Sequence, residues 1–379
     1  MGNDKVRIKM VITFAGAVIA FLIGSGFATG QEVLQYFASY GYLGIAGALL
    51  TLVLLVYVCS SFITVGQSQN FEKGSDIYSY YCGKKLGKFF DYFSTLFCFL
   101  SFTVMVSGAG ATLNQHYELH PMVGGLIIAA LVLITVLMGL NKIVDIIGKI
   151  GPLIVVISIL LGLYSIFKNM EYLDPSIVAS SIASLTEGGS LITASSTWYF
   201  AAFSYVGFCM LWLAAFLAAM GSRANNKKEA MIGGVAGAVS FSIAVMVVAL
   251  GLMACINSVV GSQIPMLILA KDVAPMLATI FAVIIMAGIY TTAVPLLFNV
   301  VSRVTNEGTR EFKLWTIGLA VGGAIIGLLL PFAKLVNVVY VINGYVGAIL
   351  LAIMVGRSIY TMVMKNKAPN SSKEGTIDA

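Results

Sequence analysis

Charge is what this 379-residue sequence has least of: only 10% of its residues are Asp, Glu, Lys or Arg, against 59% hydrophobic. So little charge cannot cover the surface of a water-soluble domain of this size, which excludes a soluble enzyme and a nucleic-acid binder. Histidine is nearly absent, with His116 and His120 the only two, both in one short polar stretch. The five cysteines, Cys59, Cys82, Cys98, Cys209 and Cys255, are odd in number, scattered and never spaced as CxxC, which excludes a disulfide framework and a structural zinc site. There is no HExxH, no nucleophile motif and no Gly-rich phosphate loop followed by Lys-Ser or Lys-Thr. An intramembrane protease and an ATP-driven pump therefore have no residues to run on, and no resident cofactor is expected. Energy for any transport must come from a gradient.

What the sequence has in excess is apolar length. Its mean hydropathy is +0.96, and at about 20 apolar residues per spanning helix it holds enough for ten or eleven crossings of a bilayer. The runs fall at 8–39, 43–66, 86–113, 122–140, 142–167, 193–220, 230–256, 273–303, 314–330 and 335–364, an all-α polytopic membrane protein of ten transmembrane helices. The first run follows a basic stretch without a small-residue cleavage site, so it is read as a retained span. Loops assigned alternately to the two sides leave Lys168, Lys271 and Lys334 on one side and the other 19 of the 22 basic residues on the opposite side. By the positive-inside rule both termini are cytoplasmic, and the expected location is the plasma membrane.

A cut in the polar stretch 171–192 leaves five helices on each side. An odd number per half inverts the second half in the membrane, giving a first five-helix repeat at 8–170, an outer connecting loop at 171–192, a second repeat at 193–364 and a polar cytoplasmic tail at 365–379. Inverted repeats point to transporters, and their sites lie where a helix at the same place in each half is interrupted. Helix one carries Ile23-Gly24-Ser25-Gly26-Phe27-Ala28-Thr29-Gly30, and helix six carries Phe203-Ser204-Tyr205-Val206-Gly207. Glycine weakens a helix and tolerates unwound dihedrals, so both helices are expected to break at mid-membrane. Two facing breaks would free amide N–H groups for a carboxylate and carbonyls for a cation or an ammonium group. The competing reading for each glycine cluster is a small-residue packing seam.

Helix eight carries Tyr290-Thr291-Thr292-Ala293-Val294-Pro295. Pro295 has no N–H, so the Thr291 carbonyl loses its helical donor beside two hydroxyls, a set of oxygens suited to a hard cation. Threonines that bond back onto their own helix are the alternative. Glu32, with Gln31 and Gln35 near it on helix one, is read as an outer gate partner, a proton acceptor, a partner for a substrate amine, or simply part of a polar vestibule. Asn337 and Asn343 on helix ten are weaker candidates.

Gly24-Ser25-Gly26, followed by the polar half-helix that begins Gln31-Glu32, resembles the amino acid-polyamine-organocation superfamily, and the run Gly26 to Glu32 resembles its YkvI-type membrane proteins. The resemblance implies a LeuT-type fold and a central substrate site between helices one, three, six and eight. It implies that amides at Gly24, Ser25 and Gly26 face a substrate carboxylate, and that Phe203, Ser204 and Tyr205 face its amine. Phe27, with Tyr205, would cap the pocket, and Ala28, Thr29 and Gly207 would flank it. Ser101, Met105 and Ser107 on helix three are candidates by depth, and Tyr290 adds an aromatic wall.

The resemblance further implies a Na+ site at the carbonyls of Ala20 and Ile23 and the hydroxyls of Thr291 and Thr292, or a Lys149 ammonium in the same place, as in sodium-independent members. Lys149 paired with Asp145 and reaching to the interface is the bland alternative. The expected function is a secondary transporter of a neutral amino acid coupled to a proton or sodium gradient. A passive facilitator or channel, or a ligand sensor of the same fold, is the rival reading. The expected partners are a small-molecule substrate and the lipid bilayer.

Overall fold

A computed structural model describes residues 6–69, 71–139 and 144–367, with the side chains of 144–151 and 365–367 outside the description. Every regular element among the described residues is a helix. The first crossing is in three pieces, α1 (Ile8–Leu22), α2 (Ser25–Thr29) and α3 (Gln31–Tyr36). After it come α4 (Tyr42–Gln69), α5 (Asp76–Tyr117), α6 (Pro121–Met138), α7 (Val144–Lys168), α8 (Pro175–Glu187), α9 (Trp198–Gly221) and α10 (Lys227–Ala254). The chain ends with α11 (Ile256–Val259), α12 (Pro265–Val273), α13 (Pro275–Val304), α14 (Arg310–Leu329) and α15 (Phe332–Lys367).

Eight of these helices are long and apolar enough to cross a membrane. The first crossing is completed by α1 to α3 together, and α7 supplies another around its apolar stretch Pro152–Lys168. The α5 helix is longer than its apolar run because a polar first segment is joined to it across a kink at Gly83, whose φ of 73° favours glycine. The stretch expected to be loop between helices five and six folds instead into α8, capped by the Asp174 side chain on the Ser176 N–H.

Two four-helix groups make the core. The α1, α4, α9 and α10 helices pack together, as do α5, α6, α13 and α14, while α7 lies against α10 and α15 lies against both α9 and α5. Outward-facing Leu126, Ile127, Leu131 and Ile134 on α6, and Leu314, Ile317, Val321 and Ile325 on α14, stay exposed and meet the hydrocarbon. On the face where α1 begins, here termed the basic face, the Arg7 guanidinium reaches the Arg223 carbonyl and Arg303 pairs with Asp91. On the opposite face Lys168 pairs with Asp272 at 2.7 Å.

The break expected in helix six is corrected by the structure: α9 is one continuous helix through Phe203, Ser204, Tyr205 and Gly207. The physical reason lies across the interface. A side chain on Gly207 would collide with the backbone of Gly344 and Ala348, and one on Gly347 would collide with Gly207, so these glycines let α9 and α15 touch backbone to backbone. The packing-seam reading holds for helix six.

Candidate substrate site

Helix one breaks where the glycines stand. At the end of α1, Ile23 is extended (φ −81°, ψ 92°), and so is Gly24 (φ −94°, ψ −174°). The chain resumes as α2, then turns at Gly30, which is left-handed with φ 82°. A side chain there would be strained and would also press on Met266, 2.7 Å from the position of its Cβ. Because the Gly24 N–H bonds to the Leu22 carbonyl at 3.1 Å, the Ala20 carbonyl loses its helical donor. The Thr292 hydroxyl lies 3.2 Å from the Ile23 carbonyl and 3.0 Å from that of Gly288, with one proton to share between them. Of the expected cation ligands, Ile23 and Thr292 are thus brought together. Thr291 instead bonds back to Gly288 at 3.0 Å on its own helix.

The other side of the break is crowded with side chains from distant helices. A Cβ on Gly24 would stand 3.3 Å from Met105 Cε, 3.5 Å from Trp212 Cη2 and 3.8 Å from the Tyr340 hydroxyl. A Cβ on Gly26 would stand 2.5 Å from Glu32 Oε2 and 3.1 Å from Tyr340 Cε2. The Glu32 carboxyl therefore folds back over Gly26. It is buried, with Oε1 accepting a 2.6 Å hydrogen bond from the Tyr205 hydroxyl. Its Oε2 has no hydrogen-bond partner among the described residues, while the buried Tyr340 hydroxyl faces that of Ser25 and the Tyr36 hydroxyl that of Ser204.

Aromatic rings close the space. Trp212 stacks on Phe97 at 5.3 Å, meets Tyr340 edge-on at 5.5 Å and donates its indole N–H to Ser101 at 3.2 Å. Phe208 stacks on Tyr340 at 4.9 Å, and Tyr36 meets Tyr205 edge-on at 5.3 Å.

The structure brings Gly24, Ser25, Gly26, Ser101, Met105 and Tyr205 together around the break, and Glu32, read from the sequence as lying a turn further out, sits there with them. Other candidates lie elsewhere. Phe27 packs on Phe241 of α10 at 5.2 Å, and Thr29 bonds back to the Gly26 carbonyl at 3.1 Å. Ala28 is buried within α2. Ser204 faces the Val341 carbonyl across the seam at 3.4 Å, Phe203 is half-buried, and Gly207 is interface. Tyr290 is bound to Thr135 on α6 at 2.7 Å, away from the break. Asn337 bonds to Gln35 and to the Thr193 carbonyl, whereas Asn343 bonds to Val339 on its own helix. The side chain of Lys149 lies outside the described residues. Trp212, Tyr340, Tyr36, Phe97 and Phe208 were not singled out by sequence reasoning. The stripe Tyr205, Phe208, Trp212, spaced three and four apart along α9, was the signal for two of them.

Access to the break is unequal from the two faces. From the basic face a cavity of about 630 Å³, lined by Lys73, Tyr78, Asp91, Asn299 and Arg303 among others, extends as far as Phe21 and Trp212, and the Trp212 ring stands between it and Gly24. On the opposite face a cavity of about 590 Å³ lined by Gln115, Ser262, Gln263 and Lys271 among others narrows, between Gln31, Leu34, Gln35 and Gln263, to a space of about 40 Å³. Amides hold it shut. Gln35 donates to the Ala333 carbonyl at 2.9 Å and accepts from Asn337 at 3.0 Å, and Gln263 accepts from the Ala333 N–H at 2.9 Å. Replacing Gln35 with Leu removes both of its side-chain bonds. A cysteine placed at Leu34, which is buried and lines only the narrow space, in a background without the native cysteines, is then expected to react several-fold faster with a membrane-impermeant thiol reagent.

No family model matches the sequence. The chain is 26% identical to the membrane protein YkvI of Bacillus subtilis over 147 residues, 38% of this chain and 41% of that protein's length. It is 24% identical to the Bacillus subtilis protein YyaD over 366 residues, 92% of this chain and 96% of the other. Among solved structures it is similar to MhsT in complex with L-phenylalanine, with a TM-score of 0.62 at 15% identity over 95% of this chain and 92% of that one. It is also similar to the inward-facing conformation of Mhp1 (TM-score 0.58, 15% identity, 95% and 78% of the two chains). A third similar structure is a Na+-coupled sialic acid symporter in a substrate-bound outward-open state (TM-score 0.56, 14% identity, 90% and 78%). An interrupted first helix, two packed four-helix groups and these neighbours together give the chain a LeuT-type fold.

Proposed function

We propose that this chain is a secondary transporter that moves a small organic solute by alternating access, with the solute held at the helix-one break. One observation carries the reading: helix one is broken in the buried core beside a carboxyl oxygen without a partner, Glu32 Oε2, with a wide cavity ending at Trp212 on one side and only a narrow space on the other. A buried carboxyl oxygen without a partner is costly until water, an ion or a ligand completes it, and at a helix break a ligand can reach it. Charge asymmetry makes the basic face cytoplasmic, so the conformation is inward-facing. The aromatic lining and the likeness to MhsT, which was solved with L-phenylalanine, favour a neutral amino acid with an apolar side chain. Its carboxylate would meet the first amides of α2, freed where α1 ends.

Sodium is the coupling ion that the residues at Ile23 accommodate: the Ala20 and Ile23 carbonyls and the Thr292 hydroxyl are uncharged oxygen donors. Uptake into proteoliposomes, measured for a panel of amino acids under separate sodium and proton gradients, tests the function. Sodium-driven uptake of at least one apolar amino acid is expected. With Thr292→Val the sodium concentration needed for half-maximal uptake should rise about tenfold. Uptake driven only by protons and abolished by Lys149→Ala would replace sodium with the lysine. Failure of every panel member to move would overturn the amino acid reading.

A further inference from the structure

Helix six, unbroken, removes the partner that a substrate amine would otherwise find. In the continuous α9 the carbonyls of Phe203, Ser204 and Tyr205 serve the helix's own hydrogen bonds. An ammonium group brought to this depth needs an acceptor, because a buried charge without one is strongly disfavoured. Glu32 offers it. The Tyr205 hydroxyl holds Oε1 at 2.6 Å and so orients the carboxyl, which leaves Oε2 directed into the notch that Gly26 opens by having no side chain. The edge of the Tyr340 ring borders the same notch, 3.1 Å from the position a Gly26 Cβ would take. Among the described residues no Lys, Arg or His forms an ion pair with Glu32. A buried carboxyl in that condition is completed either by a proton or by a cation, and an arriving ammonium group can take the proton's place.

Building on the substrate-site reading above, we propose that Glu32 receives the ammonium group of the substrate, so that the site selects solutes carrying a protonated amine. The amine donates to Glu32 Oε2, with the Tyr340 ring beside it closing the notch. The apolar part of the solute lies toward Met105 and Trp212, the groups that face Gly24. Selection then rests on charge and hydrogen bonding at one end and on ring contact at the other. A site built to bond an N–H group rejects an analogue without it far more strongly than an apolar pocket rejects a missing methylene.

The test uses the full-length protein in liposomes and three probes that share one ring: L-phenylalanine, 2-phenylethylamine and 3-phenylpropanoate. The expected result is competition for uptake, or direct binding, by the two amines at least about 100-fold better than by 3-phenylpropanoate. Glu32→Gln, close in shape, should cut affinity for both amines about 100-fold and erase the preference, while Tyr205→Phe, which keeps the carboxylate, should preserve it. If wild-type protein handles 3-phenylpropanoate as well as L-phenylalanine, or Glu32→Gln keeps the amine preference, the ammonium site is overturned and the transporter reading stands. If wild-type protein neither binds nor moves these probes or any of the wider amino acid panel, both fall. The probe comparison on wild-type protein decides the matter even where a Glu32 variant does not fold.

Discussion

Gly26→Ala is expected to abolish uptake, by about 100-fold or more, while leaving a folded protein. The added Cβ would stand 2.5 Å from Glu32 Oε2 and 2.9 Å from Glu32 Cβ. Rotation of the carboxyl relieves the first contact but not the second, so α3 must shift or the Glu32 to Tyr205 hydrogen bond must break. Either outcome moves Glu32 and pushes on Tyr340, whose ring lies 3.1 Å from the same point. Overpacking of this kind costs about 1–3 kcal/mol, which a helical bundle of this size tolerates. The control is Gly16→Ala, where nothing lies within 4 Å of the new methyl group. Initial uptake rates should be unchanged for Gly16→Ala and lost for Gly26→Ala, with both proteins eluting as single species. Wild-type rates in Gly26→Ala would show that the Glu32 notch is not where solute binds.

Glu229→Ala should be the most destabilising single change on the basic face, and more so than Arg7→Ala. The Glu229 carboxylate is fully buried and accepts from the Arg7 backbone N–H at 2.7 Å, the Arg7 guanidinium at 2.8 Å and the Asn225 N–H at 3.1 Å. These bonds pin the first residues of helix one to the start of α10. Removing the carboxylate strands all of those donors at once. Removing the Arg7 side chain, which is 42% exposed, leaves two backbone donors still on Glu229. A fall of about 5 °C or more in melting temperature is expected for Glu229→Ala and roughly half of that for Arg7→Ala. Because α1 then loses its anchor, thiol labelling at the wall of the basic-face cavity should also rise. An equal or larger loss for Arg7→Ala would mean that the guanidinium, not the carboxylate, organises the junction.

How much of this was legible in the sequence depended on whether the cause was local. The helix-one break was, because Gly24 and Gly30 take backbone conformations that their own neighbours already suggest, extended at one and left-handed at the other. The polar half-helix that follows was legible for the same reason. Helix six was not. Ser204-Tyr205-Val206-Gly207 carries the same small and polar signature, but its meaning is set by Gly344 and Gly347, far along the chain, against which Gly207 packs without a gap. Glu32 was placed too far outward because counting residues along a straight helix ignores the turn at Gly30, which brings the carboxyl back over Gly26. Tyr290 was drawn into the site by type and depth, while Thr135 on α6 offered its hydroxyl a nearer partner. Trp212 and Tyr340, the rings that face Gly24, come from helices whose rotation about their own axes hydrophobic runs do not encode.

The seal on the face opposite the basic one follows the same division. Gln31 and Gln35 were visible as unusual polar residues in an apolar run, but the bonds of Gln35 to Ala333 and Asn337 join the first crossing to α15, a pairing that only the fold supplies. That closure, with the 630 Å³ cavity ending at Trp212 on the other side, is the asymmetry on which the proposed alternating access rests.

The most direct test of the site is a structure of the protein with the solute identified by the uptake panel. The expected result is ligand density at the helix-one break, in contact with Glu32 and bounded by Gly24, Trp212 and Tyr340. Density confined to the outer cavity lined by Gln115, Ser258 and Lys271, with the break unchanged, would contradict it.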